Sequence, residues 1–156
     1  MFRKRIITRE DGTPYLIRVY LIKTKLFQIC IHQILQSDAD CLHDHPWNFI
    51  SIILKGGYWE GTTPDQVLNG PELDFFNYHH GNKIYYRWFG TGRILFRKAQ
   101  WKHRLKLETE ESYRTNTVNK PATTLVIMFK RKREWGFFTK TGWVPWFKYK
   151  SNQSCE

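Results

Sequence analysis

A chain of 156 residues with 41% hydrophobic and 17% aromatic content carries enough apolar mass for one core, which excludes an intrinsically disordered protein. Twenty-five Lys and Arg against 14 Asp and Glu leave a formal charge of +11, a field that favours nucleic acid, nucleotides, or small phosphorylated or carboxylated ligands. Cys30, Cys41 and Cys155 form no C-x-x-C pair, and no stretch approaches the roughly 18 apolar residues of a membrane span, so neither a disulfide framework, a zinc finger nor a membrane partner is expected.

The expected location is therefore a reducing cytoplasm. The basic N-terminus leads into no apolar run of signal-peptide length.

Hydrophobicity recurs with a period of two almost throughout. A short strand is expected over residues 2–8, closed by the turn Glu10-Asp11-Gly12-Thr13-Pro14. Strands follow over 15–24 and 26–35, and the polar stretch Ser37-Asp38-Ala39-Asp40 ends the second. A further run over 43–54 meets Lys55-Gly56-Gly57, which reads as a hairpin returning through Tyr58-Trp59-Glu60. Residues 61–71 read as a loop. Strands over 83–89 and 93–97 flank the turn Gly90-Thr91-Gly92, and another covers 103–108. The polar segment 109–121 is expected to be a flexible connection. Strands over 122–130, 135–139 and 143–147 complete the series, with a frayed tail from Ser151. Many short strands with Gly and Pro punctuation, and no amphipathic helix, predict an all-β sandwich or barrel in one domain spanning 1–156.

The chemistry concentrates in Leu42-His43-Asp44-His45-Pro46-Trp47. In an extended chain, residues i and i+2 share a face, so His43 and His45 aim together, as two imidazole ligands of one ion must. A third imidazole joins them by alternation. Lys102, Arg104 and Lys106 fall on one side of their strand and His103, Leu105 and Leu107 on the other. Buried unpaired charges are costly, so the basic side is expected outward and His103 inward.

These residues resemble the cupin superfamily. Its first motif, G-x5-H-x-H-x3,4-E-x6-G, is matched by His43, His45 and Gly56. Its second, G-x5-P-x-G-x2-H-x3-N, is matched by Gly92 and His103. The resemblance covers about residues 15–147 and implies a double-stranded β-helix, a jelly-roll-like barrel with a divalent metal inside. Arg133-Glu134-Trp135-Gly136-Phe137 and Gly142-Trp143-Val144-Pro145-Trp146 look like small phage and bacterial cupin-like proteins. Phe49 stands where the family has its glutamate ligand, and Lys98 and Gln100 replace the Pro and Gly of the second motif. Three histidines without the glutamate are similar to thiol dioxygenases, which implies Fe(II), with Zn, Ni or Mn as alternatives. The missing glutamate leaves two readings: an ion whose shell an anionic ligand completes, or a site that has given up its metal.

Around this centre, Arg93, Arg97, Arg131 and Arg133 are candidates for binding an anionic substrate through forked hydrogen bonds, with a solvated strand end as the other reading of Lys130-Arg131-Lys132-Arg133. Tyr58 and Ser51 are candidates to line the pocket. Glu60 is a candidate extra ligand or general base, with a surface carboxylate as the other reading. His32 reads as a structural histidine or as a hydrogen-bond partner behind the ligands. His79 and His80 read as exposed loop residues, and Asp44 as facing away from the metal.

Two functions follow: a non-haem Fe(II) dioxygenase acting on a small anionic substrate, or a non-catalytic barrel capturing a nucleotide-like anion. Nucleic-acid binding through Lys102, Arg104 and Lys106, isomerase chemistry and a homodimer are lesser expectations.

Overall fold

The alternation read in the sequence resolves into fourteen strands and one 3-10 turn among the described residues 3–67, 75–79, 82–111 and 117–155 of a computed structural model. In chain order the strands are β1 (Arg3–Thr8), β2 (Pro14–Lys23), β3 (Phe27–Ile34), β4 (Phe49–Lys55), β5 (Gly57–Thr62), β6 (Phe75–His79) and β7 (Asn82–Gly90). They continue as β8 (Ile94–Arg97), β9 (His103–Lys106), β10 (Thr109–Glu111), β11 (Thr117–Asn119), β12 (Ala122–Phe129), β13 (Gly136–Thr139) and β14 (Gly142–Pro145). No helix of the described residues is long and apolar enough to cross a membrane.

One antiparallel sheet runs β1-β2-β3-β12-β4-β8, and a second runs β6-β7-β5-β9. His43 extends the second sheet, because it bridges His103 of β9 on one side and Phe137 of β13 on the other. The inner faces share a core of Leu16, Ile34, Ile53, Leu95 and Ala122 with Tyr58 and Phe89. Cys30, Phe49, Val126 and Met128 form a second cluster farther along the first sheet.

Lys55-Gly56-Gly57 does not make a hairpin. β4 pairs with β12 and β8, and β5 with β7 and β9, so the chain crosses there from one sheet to the other. Gly90-Thr91-Gly92 carries it back from β7 to β8. Gly56 (φ +71) and Gly92 (φ +88) adopt left-handed backbone, which turns the chain sharply out of a sheet. The crossings brace each other, as Thr91 Oγ1 donates to Gly56 O (3.1 Å) and Gly92 N to Ile53 O (2.8 Å). A glycine pair signals a tight reversal, but the strand partners decide whether that reversal is a hairpin or a crossover.

Three other expectations change. Residues 109–121 hold a short ladder, with Thr109 opposite Asn119 and Glu110 opposite Val118. His79 ends β6 opposite Asn82 instead of lying in a loop, while His80 falls outside the described residues. The tail is not frayed: Cys155 forms a disulfide with Cys41, Lys140 N donates to Ser154 O (3.0 Å), and Thr139 bridges Cys155. That pairing joins residues 114 apart, which an odd count of unspaced cysteines does not reveal. It also removes the cysteine argument for a reducing compartment.

Candidate metal centre

Each histidine is placed by backbone pairing. His43 N donates to His103 O (2.9 Å) and His103 N to His43 O (3.0 Å), so the first and third imidazoles leave adjacent chains at the same level. His45 N donates to Ala99 O (2.9 Å), fixing the next inward position. His43 is not inside a regular strand: β4 starts only at Phe49, yet the extended segment keeps the i, i+2 relation. One nitrogen from each of His43, His45 and His103 lies within 4.8 Å of the others. His45 Nε2 and His103 Nε2 are 2.7 Å apart.

The surroundings set the protonation of this cluster. Glu60 accepts a hydrogen bond from His103 Nδ1 at 2.6 Å, which orients the ring so that its Nε2 faces His45. Burial would raise the Glu60 carboxyl, but hydrogen bonds from His103 and Arg97 outweigh it and bring it down to about 2. Arg97 grips both carboxylate oxygens, with Nε at 3.0 and 3.2 Å and Nη2 also on Oε2. Burial pushes His43 down to about 4, against the pull of Asp38, whose Oδ2 lies 3.9 Å from His43 Nδ1. Burial and then the other two histidines lower His45 well below the usual imidazole range. Neutral imidazoles are what a divalent ion requires. The donor set therefore fits such an ion, with a carboxylate behind His103 orienting it.

The histidines open on a cavity of about 550 Å³ between the sheets, lined partly by Phe49, Ser51, Tyr58, Met128, Trp135 and Trp146. Phe49, in the glutamate position, packs edge-on against His45 with ring centroids 4.7 Å apart. Trp135 and Trp146 stack at 6.0 Å and 6°. Tyr149 stacks on Phe137, whose ring lies 5.7 Å from His43.

No family model matches the chain, and no curated protein matches it in sequence. Solved structures do match it. A cupin 2 conserved barrel domain protein from Rhodopseudomonas palustris superposes with a TM-score of 0.57 at 9% identity, covering 90% of this chain and 80% of that one. A cupin-2 domain protein from Rhodospirillum rubrum gives 0.55 at 10% identity, covering 90% and 78%. The chain folds as a cupin. A structure of Fe(II) HppE also matches, with a TM-score of 0.51 at 12% identity over 82% of this chain, which spans 56% of that protein's length.

Within this fold the anticipated residues divide. Tyr58, Ser51 and Arg97 line the cavity. Arg97 is committed to Glu60. Glu60 is no surface carboxylate, being 4% exposed, and it stands behind His103 instead of joining the cluster. Its strand, β5, lies beside β9 on the cavity side, an adjacency that the hairpin reading hid.

Arg93, Arg131 and Arg133 do not line the cavity. Arg93 is exposed in the β7–β8 crossover, Arg131 pairs with Glu134 at 2.8 Å on the surface, and Arg133 pairs with buried Asp44 at 2.8 Å. Asp44 does face away from the histidines, accepting from Gly136 N (2.8 Å). The outward basic stripe is interrupted, because Arg104 is 6% exposed and donates to Asp40 O (2.9 Å). Lys106, on the same face, stays exposed, so the burial is local to Arg104.

Sequence reasoning missed Arg5, Arg18 and Asp38 at the cavity and gave His32 no firm place there. The signal available was alternation along residues 15–24, where Leu16 and Arg18 share the inward face.

Proposed function

We propose that this cupin is a metal-dependent enzyme, a non-haem Fe(II) oxygenase that holds its ion on His43, His45 and His103 and acts on a small anionic substrate. The observation that carries the reading is the convergence of the imidazoles of His43, His45 and His103 on one point of the cavity, with the outer nitrogen of His103 fixed by Glu60. Three imidazoles contribute no negative charge, so a divalent ion held by them keeps its full positive charge and attracts an anion. The fold shared with Fe(II) HppE supports iron over zinc, nickel or manganese.

Bound there, Fe(II) would supply open coordination positions for O2 and a substrate anion. The chain's own residues supply the setting. Glu60 keeps the Nδ1 proton on His103, and Arg97 keeps Glu60 ionised. Phe49, Trp135 and Trp146 line the cavity beside the histidines with apolar ring surface. Burial holds the Tyr58 phenol protonated, so it can donate.

Elemental analysis of purified protein beside His43→Ala and His103→Ala tests this. About one iron per chain in the wild type, loss in both variants and O2 consumption with small anions are expected. Bound zinc without O2 consumption would sink the oxygenase. Capture of a nucleotide-like anion without turnover is the second reading, favoured by the tryptophan pair on the cavity wall, and it requires binding that survives loss of His43 and His45.

A further inference from the structure

We infer that the cavity carries an oxoanion subsite built on Arg5 and Arg18 beside the histidines, and that it takes a phosphoryl group, a phosphate ester or a phosphonate. This names the head group of the anionic substrate in the reading above and rests on that reading for turnover, but not for binding.

The subsite begins in strand register. Arg5 of β1 stands opposite Arg18 of β2, Arg18 opposite His32 of β3, and His32 opposite Thr124 of β12. Residues directly opposite in an antiparallel pair project to the same face, with Cβ atoms about 5 Å apart. All four line the cavity, so one polar row crosses the inner wall from the sheet's interior to its β1 edge. The row on one side is apolar, Ile7, Leu16, Ile34 and Ala122. The row on the other holds Tyr20, Cys30 and Val126.

Two guanidinium groups placed directly opposite repel each other. Neither meets a carboxylate within salt-bridge distance among the described residues. Arg97 shows the contrast: it reaches the same cavity but is neutralised by Glu60. Arg18 is also oriented. Its Nε donates to His32 Nε2 at 2.8 Å, and burial followed by the charge of Arg18 holds that imidazole down to about 3, a neutral acceptor. The bond fixes the plane of the fork, and its Nη groups have no other hydrogen-bond partner among the described residues. Arg5 is exposed at the cavity's mouth and supplies the second fork. Two forks present more donors and more charge than a single carboxylate satisfies, whereas a doubly charged phosphoryl group with three terminal oxygens answers both.

The test is calorimetric titration of chelator-stripped full-length protein with inorganic phosphate at pH 7.5, with acetate as comparison. Saturable 1:1 phosphate binding is expected, with acetate at least about tenfold weaker. Arg18→Gln and Arg5→Gln should each weaken phosphate about tenfold or more, a loss of about 1.4 kcal/mol. Arg93→Gln should leave it unchanged. Arg5 is exposed, so its variant reads the subsite without loading the fold, and circular dichroism checks Arg18→Gln. His45→Ala should lose metal while keeping phosphate affinity within about threefold, which separates this subsite from the metal reading. Absence of saturable binding, binding that survives both arginine variants, or acetate binding as tightly as phosphate would overturn the assignment.

Discussion

Glu60 on β5 accepts the Nδ1 hydrogen of His103 on β9 at 2.6 Å, reaching diagonally between neighbouring strands. Thr62 is the residue opposite His103, and Glu60 lies two positions back on the same face. This carboxylate is buried with two donors, Arg97 and His103, so a single group links the histidine cluster to an arginine of the cavity wall.

Glu60→Gln removes the charge but keeps an amide oxygen for His103. Orienting partners of this kind change metal affinity by about 10–100-fold. The variant should therefore bind iron in that range more weakly, measured by competition with a chromogenic chelator. An unchanged affinity would mean that Glu60 serves the fold alone.

The metal-free protein should lose stability as pH falls from about 6.5 to about 4. Burial depresses His43 to about 4, and His45 moves in the same direction. Below pH 6.5 the unfolded chain takes up protons that the native state refuses, so unfolding becomes progressively easier until the native histidines also titrate. Thermal melts across this window should show a falling midpoint, and His43→Asn should flatten the slope. A midpoint insensitive to pH there would contradict neutral buried imidazoles.

Breaking the Cys41–Cys155 bond with Cys155→Ser releases a tail that covers Phe137 through Tyr149 and supplies Trp146 to the cavity. Closing a loop of this length stabilises by about 3–5 kcal/mol in the chain-entropy model. Denaturant titration should show a loss of that order, with a reduced near-ultraviolet signal from the stacked tryptophans. Wild-type protein in strong reductant should behave alike.

Gly56→Ala should cost about 1–3 kcal/mol. The residue has φ +71, and an added Cβ would stand 2.8 Å from Pro121 O, a backbone atom that cannot swing aside. Gly12→Ala, with φ +81 but nothing within 4 Å of the added carbon, serves as the comparison and should cost less. Equal losses would mean that backbone conformation alone matters.

Most strands, the all-β class and the grouping of His43, His45 and His103 are legible in the sequence, because period-two alternation is local. It states which side chains share a face without saying what that face meets. The same local rule puts Phe49 and Ser51 on the face of His43 and His45, and both line the cavity. It failed at Arg104, which alternation sent outward although its side chain is buried and donates to Asp40 O.

What only the tertiary structure decided is who stands beside whom. Whether Gly56 makes a hairpin or a crossover, whether Glu60 is exposed or behind His103, and whether Cys41 finds Cys155 all depend on pairings between segments far apart in the chain. The arginines divide for the same reason. Arg97 has its charge met by a strand that the sequence does not place beside it, while Arg5 and Arg18 are set side by side by register. Alternation is written residue by residue, whereas strand partners are chosen by the burial of the whole sheet.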